Sequence, residues 1–112
     1  PLFIAETGWV SESFTITIQG FSRRFASSPE AQAEFLRRLG TCADYAMDEG
    51  MPLLAVNYVS LIDIGWFGRQ AIRAMLPQFE WFCHLGLLEP SGKPKPAYER
   101  MVQWRTRLDG SQ

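Results

Sequence analysis

Pro1-Leu2-Phe3-Ile4-Ala5-Glu6-Thr7-Gly8-Trp9 opens the chain, and how this stretch is read decides the fold. Leu2 to Ala5 is a short continuous apolar run, the pattern of a strand buried on both faces in a parallel sheet covered by helices. Glu6-Thr7-Gly8 ends it. The pattern returns after Pro52 as Leu53-Leu54-Ala55-Val56, with Asn57 and Tyr58 beginning a polar and aromatic segment. Strands are therefore expected over about 1–6 and 53–58.

A helix over about 29–49 separates them. Ser28 reads as its N-cap, Pro29 as its first helical residue, and Glu30 as a favourable charge in the first turn. Ala31, Phe35, Leu39, Cys42 and Ala46 recur at steps of four, four, three and four, which predicts that they share the apolar face. Gly50 closes the helix. After Gly92-Lys93-Pro94-Lys95-Pro96, the spacing of Ala97, Met101, Trp104 and Leu108 predicts a last helix over about 95–108.

Between these elements the patterns are weaker. Phe14, Ile16 and Ile18 alternate with Thr15, Thr17 and Gln19, which suits either a short strand or an extended loop. Arg69 to Met75 reads as a helix of one or two turns stopped by Pro77, and Phe79 to Leu88 is aromatic-rich without a clear period. The order strand, helix, strand, helix places the chain in the α/β class, with parallel strands and long connections after each. Doubly wound sheets and (β/α)8 barrels both keep their chemistry in such connections. Two parallel strands alone leave sheet edges open, and a full barrel needs ~250 residues. The chain is thus expected to be a piece of such a fold, and its start at Pro1, without initiator methionine or signal features, is read as the interior of a longer protein.

Composition removes several function classes. Eleven basic against twelve acidic side chains give a net charge of -1, so nothing electrostatic points to nucleic acid or an anionic membrane as partner. The longest apolar run, Met51 to Val56, is far short of the ~20 residues of a membrane-spanning helix. Cys42 and Cys83 fit neither a zinc-ligand spacing nor a CxxC motif, and both read as small buried hydrophobes. No metal or cofactor is expected.

The chemistry is expected at Glu6. A carboxylate directly after a buried strand, at its carboxyl end, projects into the bowl where barrel enzymes hold catalytic groups. A surface glutamate at a strand end is the bland alternative. Trp9 adds a flat apolar plate of the kind on which sugar C–H faces stack, so a carboxylate beside a tryptophan suits a glycoside site. Asp63 and Trp66, after the second strand, read about equally as cleft wall or as an Asx-turn residue and a packing ring. Trp81 and Trp104 read as packing, His84 as structural, and Lys93 and Lys95 as solvated.

The segment Pro1 to Trp9 resembles strand seven of retaining glycoside hydrolases with the (β/α)8 fold, the clan of cellulases and other endo-glycanases. The likeness continues in the helix segment Glu30-Ala31-Gln32-Ala33-Glu34-Phe35-Leu36-Arg37-Arg38 and in Leu54 to Asp63, similar to strand eight. It ends in His84-Leu85-Gly86-Leu87-Leu88 and Gly92-Lys93-Pro94-Lys95-Pro96-Ala97-Tyr98 before the final helix. Two departures stand out: Tyr58 takes a place often held by tryptophan, and Val10 follows the Gly-Trp pair where some relatives have proline.

The resemblance implies the last two βα units of a TIM barrel, with Glu6 as catalytic nucleophile and Trp9, Tyr58, Asp63 and Trp66 as substrate-binding residues. Tyr58 is expected to donate a hydrogen bond that keeps Glu6 ionised. The partners implied are a carbohydrate substrate and the remainder of the barrel, and an extracellular or periplasmic location. The acid/base glutamate of such enzymes ends strand four, commonly after an asparagine. Glu12, Glu49, Glu80 and Glu89 follow no buried run and do not replace it, so residues 1–112 alone are expected to lack turnover. Two other readings stay open. One is a noncatalytic carbohydrate-binding or pseudoenzyme segment, which lacks the upstream Asn-Glu pair; the other is a small α/β interaction domain.

Overall fold

The computed structural model describes residues 1–110; residues 111 and 112 of the expected barrel segment lie outside them. The chain is mixed α/β. Strand β1 (Leu2–Thr7) leads into a hairpin of β2 (Phe14–Ile18) and β3 (Phe21–Phe25), followed by α1 (Pro29–Asp48), β4 (Leu53–Tyr58), α2 (Trp66–Met75), a 3-10 helix (Pro77–His84) and α3 (Pro96–Gly110). The alternating Phe14 to Ile18 segment is thus a strand, paired antiparallel with β3 from Phe14↔Phe25 to Ile18↔Phe21.

β1 and β4 form a separate two-stranded parallel sheet, with Leu2↔Leu53, Phe3↔Ala55, Ile4↔Val56 and Thr7↔Tyr58 as partners. A parallel pair requires a crossover, and α1 provides it. Register irregularities follow Leu2 and Ile4, the second just before Glu6. The expectation that the first strand is buried on both faces is not met. Leu2, Ile4 and Thr7 are half-buried, while Phe3, Ala5 and Glu6 are exposed, Phe3 to 56%. The physical reason is that β1 packs on β4 alone among the described elements. Leu54 on β4 is likewise 67% exposed, so the sheet carries apolar side chains that this chain does not cover.

The core lies between the two long helices. Ala33 and Leu36 of α1, Leu87, and Ala97 of α3 form its buried centre, with Phe35, Leu39, Tyr58, Tyr98 and Met101 packed around it. The buried face of α1 is rotated from the expected one: Gln32, Ala33, Leu36, Gly40 and Ala43 are buried, while Phe35 and Leu39 sit at its margin and Cys42 is exposed. Size explains this. At Gly40 a β-carbon would lie 3.6 Å from the Trp104 ring, so small residues let α3 approach closely, and a search for large apolar side chains overlooks them. Cys83 is buried, as expected.

The start of α1 is as expected. The Ser28 hydroxyl accepts from Ala31 N at 3.0 Å, with Pro29 following it and Glu30 in the first turn. Ser28→Ala removes that acceptor and is expected to cost about 1 kcal/mol, read as a lower denaturant midpoint with an unchanged slope. No helix among the described residues is long and apolar enough to cross a membrane.

Candidate active site

Glu6 lies exposed near the carboxyl end of β1, one residue before the last pair of the ladder, Thr7↔Tyr58. The chain leaving this strand is held at successive residues. Val59 N donates to Thr7 O at 2.8 Å, and the Tyr58 hydroxyl donates to Trp9 O at 3.2 Å. Ser27 Oγ donates to Val10 O at 2.7 Å, and Ser11 N donates to His84 O at 2.9 Å. Gly8 permits the first of these approaches, since a β-carbon there would stand 2.5 Å from Val59 O. A strand exit fixed in this way sets the path of the backbone that carries Glu6.

Trp9 and Tyr58 contribute to this clamp. The Trp9 ring stacks on Phe35 of α1, with centroids 5.6 Å apart and planes at 19°, so one of its faces is occupied by protein while the ring remains partly exposed. The Tyr58 hydroxyl has the backbone of Trp9 and the amide of Gln32 as partners; Glu6 is not among them. Burial pushes its pKa up from the usual tyrosine value, which keeps the phenol protonated and able to donate.

Sequence reasoning passed over the residue at the centre of this arrangement. Gln32 is fully buried, and its Nε2 faces Trp9 O (2.9 Å), the Tyr58 hydroxyl (3.2 Å), Leu85 O (3.2 Å) and Gly86 O (3.0 Å). Two amide protons thus serve four acceptors, while Oε1 is buried without a hydrogen-bond partner. The available signal was the spacing of Gln32, Leu36, Gly40 and Ala43, which puts a polar side chain on the helix's closely packed face.

Asp63 and Lys95 form a second buried knot. Lys95 is 6% exposed, contrary to the expectation of a solvated lysine. Its Nζ contacts Asp63 Oδ2 at 2.6 Å, Ser11 Oγ at 2.9 Å and Gly86 O at 2.9 Å, which uses all three ammonium protons. Asp63 Oδ1 accepts from Gly86 N at 2.8 Å. Prolines on both sides suggested an exposed linker, yet Lys95 N is itself bonded to Leu87 O, and this directs the side chain inward. Gly86 is required here, because a β-carbon would run into the backbone of Ile62 and Asp63.

The remaining candidates lie apart from this core. Trp66, 67% exposed at the start of α2, meets Phe67 edge-on with centroids 5.0 Å apart and keeps open ring surface for stacking. Trp81 packs among Phe14, Phe79 and Phe82, and Trp104 is buried. His84 Nε2 lies 3.3 Å from Glu12 Oε2. Burial lowers the His84 pKa and outweighs the Glu12 carboxylate, so this proximity does not hold the ring in its charged form.

Beside the clamp lies an open depression of about 760 Å³ whose walls include Ser11, Glu12, Asp63, Arg69, His84 and Lys95. Glu6 is not part of those walls. Among these, Asp63 pairs with Lys95, Glu12 lies beside His84, and Arg69 pairs with Glu80. Among the described residues, no cluster of three or more His, Cys, Asp or Glu side chains could hold a metal ion. Comparisons with family models, curated proteins and solved structures find no match to this chain.

Proposed function

We propose that this chain is the carboxyl-terminal part of a (β/α)8 retaining glycoside hydrolase, its last two βα units, and that it supplies the catalytic nucleophile Glu6. One observation carries the reading: β1 and β4 run parallel, and Glu6 stands exposed at the carboxyl end of β1, on a sheet with open edges and uncovered apolar side chains. In barrel enzymes the catalytic groups occupy that end of the strands. The remainder of the barrel would cover Phe3 and Leu54 and bring the acid/base carboxyl opposite Glu6.

In the mechanism Glu6 attacks the anomeric carbon while the acid, from sequence outside this chain, protonates the departing glycosidic oxygen. The C–O bond to the leaving group breaks as the bond to a Glu6 oxygen forms. Water, deprotonated by the same acid/base residue, then displaces Glu6 and restores the starting configuration. Trp66 offers its exposed face to a sugar ring. Trp9, Tyr58 and Asp63 act from beneath, by fixing the loops from which the cleft rises.

The test uses the full-length protein and a panel of 2-deoxy-2-fluoroglycosyl inactivators, whose slow second step traps the covalent intermediate. Inactivation with the added mass mapped to the peptide containing Glu6, and products of retained configuration, are expected. A label on another carboxylate, or inversion of the anomeric centre, would remove Glu6 from this role. Carbohydrate binding without any turnover would favour the noncatalytic reading.

A further inference from the structure

The clamp under the proposed nucleophile converges on one side chain that no general requirement of glycoside hydrolysis calls for. We propose that Gln32 is a positioning residue of this site, holding the Tyr58 hydroxyl and the Trp9 carbonyl in register and so setting the exit of β1 that carries Glu6. The inference rests on the glycosidase reading and deepens it. Gln32 belongs to the second turn of α1, yet it reaches the ends of both parallel strands: β1 through Trp9 O at 2.9 Å, and β4 through the Tyr58 hydroxyl at 3.2 Å. Its other two contacts, Leu85 O and Gly86 O, tie the same amide to the loop that Lys95 and Asp63 also hold, with Gly86 O shared between Gln32 and Lys95.

The Gln32 amide carries two opposed terms: its Oε1 has no partner, while its Nε2 is a donor to the carbonyls of Trp9, Leu85 and Gly86, which an apolar side chain of the same length would leave short of a donor. What an apolar side chain does not do is orient a phenol. With Gln32 in place the Tyr58 hydroxyl sits between the Gln32 amide and the Trp9 backbone, and its rotation is restricted. Without it the phenol and the β1 exit have more freedom, and displacement of a reacting group by about 1 Å can cost on the order of 100-fold in rate.

The full-length protein tests this with an aryl glycoside that the parent enzyme cleaves. Gln32→Met is expected to lower kcat by about 10- to 100-fold with KM changed less than about threefold. In a Tyr58→Phe background the same substitution is expected to lose most of that effect, because both act through one contact. Gln32→Glu adds a second signature. As a protonated carboxyl it donates one hydrogen bond and supports turnover at low pH; as a carboxylate facing three carbonyl oxygens it repels them, so kcat falls with a titration step absent from the parent.

An unchanged kcat in Gln32→Met, or losses fully additive with Tyr58→Phe, would overturn the assignment while leaving Glu6 in place. Should Gln32→Met not fold, the pH profile of Gln32→Glu decides, and a profile parallel to the parent's overturns it. A parent that cleaves no glycoside and takes no label refutes the glycosidase reading and this assignment with it.

Discussion

Glu6→Ala in the full-length protein is expected to lower kcat on natural glycans by about 10⁴- to 10⁶-fold, with little change in stability. The size follows from the role: removing a nucleophile removes the whole covalent route, while losing one contact to substrate raises KM. Stability is expected to hold because Glu6 is exposed and has no ion-pair or hydrogen-bond partner among the described residues, and substitutions at such positions usually stay within about 0.5 kcal/mol. Azide separates a nucleophile from a residue that only shapes the cleft. In the space left by Glu6→Ala, azide attacks the anomeric carbon directly while the barrel's acid protonates the leaving oxygen, giving a glycosyl azide of inverted configuration. Rescue of turnover with that product is expected. Glu6→Gln, which keeps the shape and fills the space, is expected to be as inactive and to show no rescue. Azide-insensitive residual activity, or rescue in both variants, would place the attacking group elsewhere.

The parts of this fold legible in the sequence were those governed by local rules. Ser28-Pro29-Glu30 announced the helix because a cap and a proline act within one turn, and the two apolar runs announced strands because nothing polar interrupts them. Covering of the strands was not legible: an apolar run shows that a segment seeks burial, and among the described elements β1 packs on β4 alone. The face of α1 was misplaced for a related reason, since Gly40 and Ala43 pack through small size and leave no hydrophobic signature. The carboxylate at the end of β1 stood out by position in the chain. Its supports did not. Gln32, Ser27 and Lys95 reach the β1 exit from 17 to 84 residues away in sequence, and no spacing rule connects residues that meet only in the folded chain.

Trp9 and Tyr58 are both engaged by contacts within the chain. Both were expected to touch sugar, with Tyr58 donating to Glu6. Thr7 pairs with Tyr58, and the phenol meets Gln32 of α1, so these side chains are engaged on the side of the sheet where α1 packs. Glu6 is exposed, as is Ala5 before it, while Thr7 is half-buried, and the register irregularity between Ile4 and Thr7 interrupts the alternation of faces there. At this strand end the carboxylate is exposed while the clamp holds the backbone that follows it.

The Asp63–Lys95 pair is buried on both sides, and Lys95→Met is expected to destabilise the full-length protein by about 3–5 kcal/mol. The magnitude comes from what remains. Asp63 keeps a carboxylate that is 8% exposed at the side chain, with Gly86 N as its remaining partner, and Ser11 Oγ loses its donor at the start of the loop that follows Trp9. An unpaired charge out of water costs more than the pair contributed when intact. Adding Asp63→Asn tests that account directly: the amide oxygen still accepts from Gly86 N, while the stranded charge is gone. The double variant is therefore expected to regain more than half of the loss, measured as the free energy of unfolding in denaturant at constant slope. Equal stability of the single and double variants would mean that the lost packing of the lysine stem, and not an orphaned carboxylate, sets the cost.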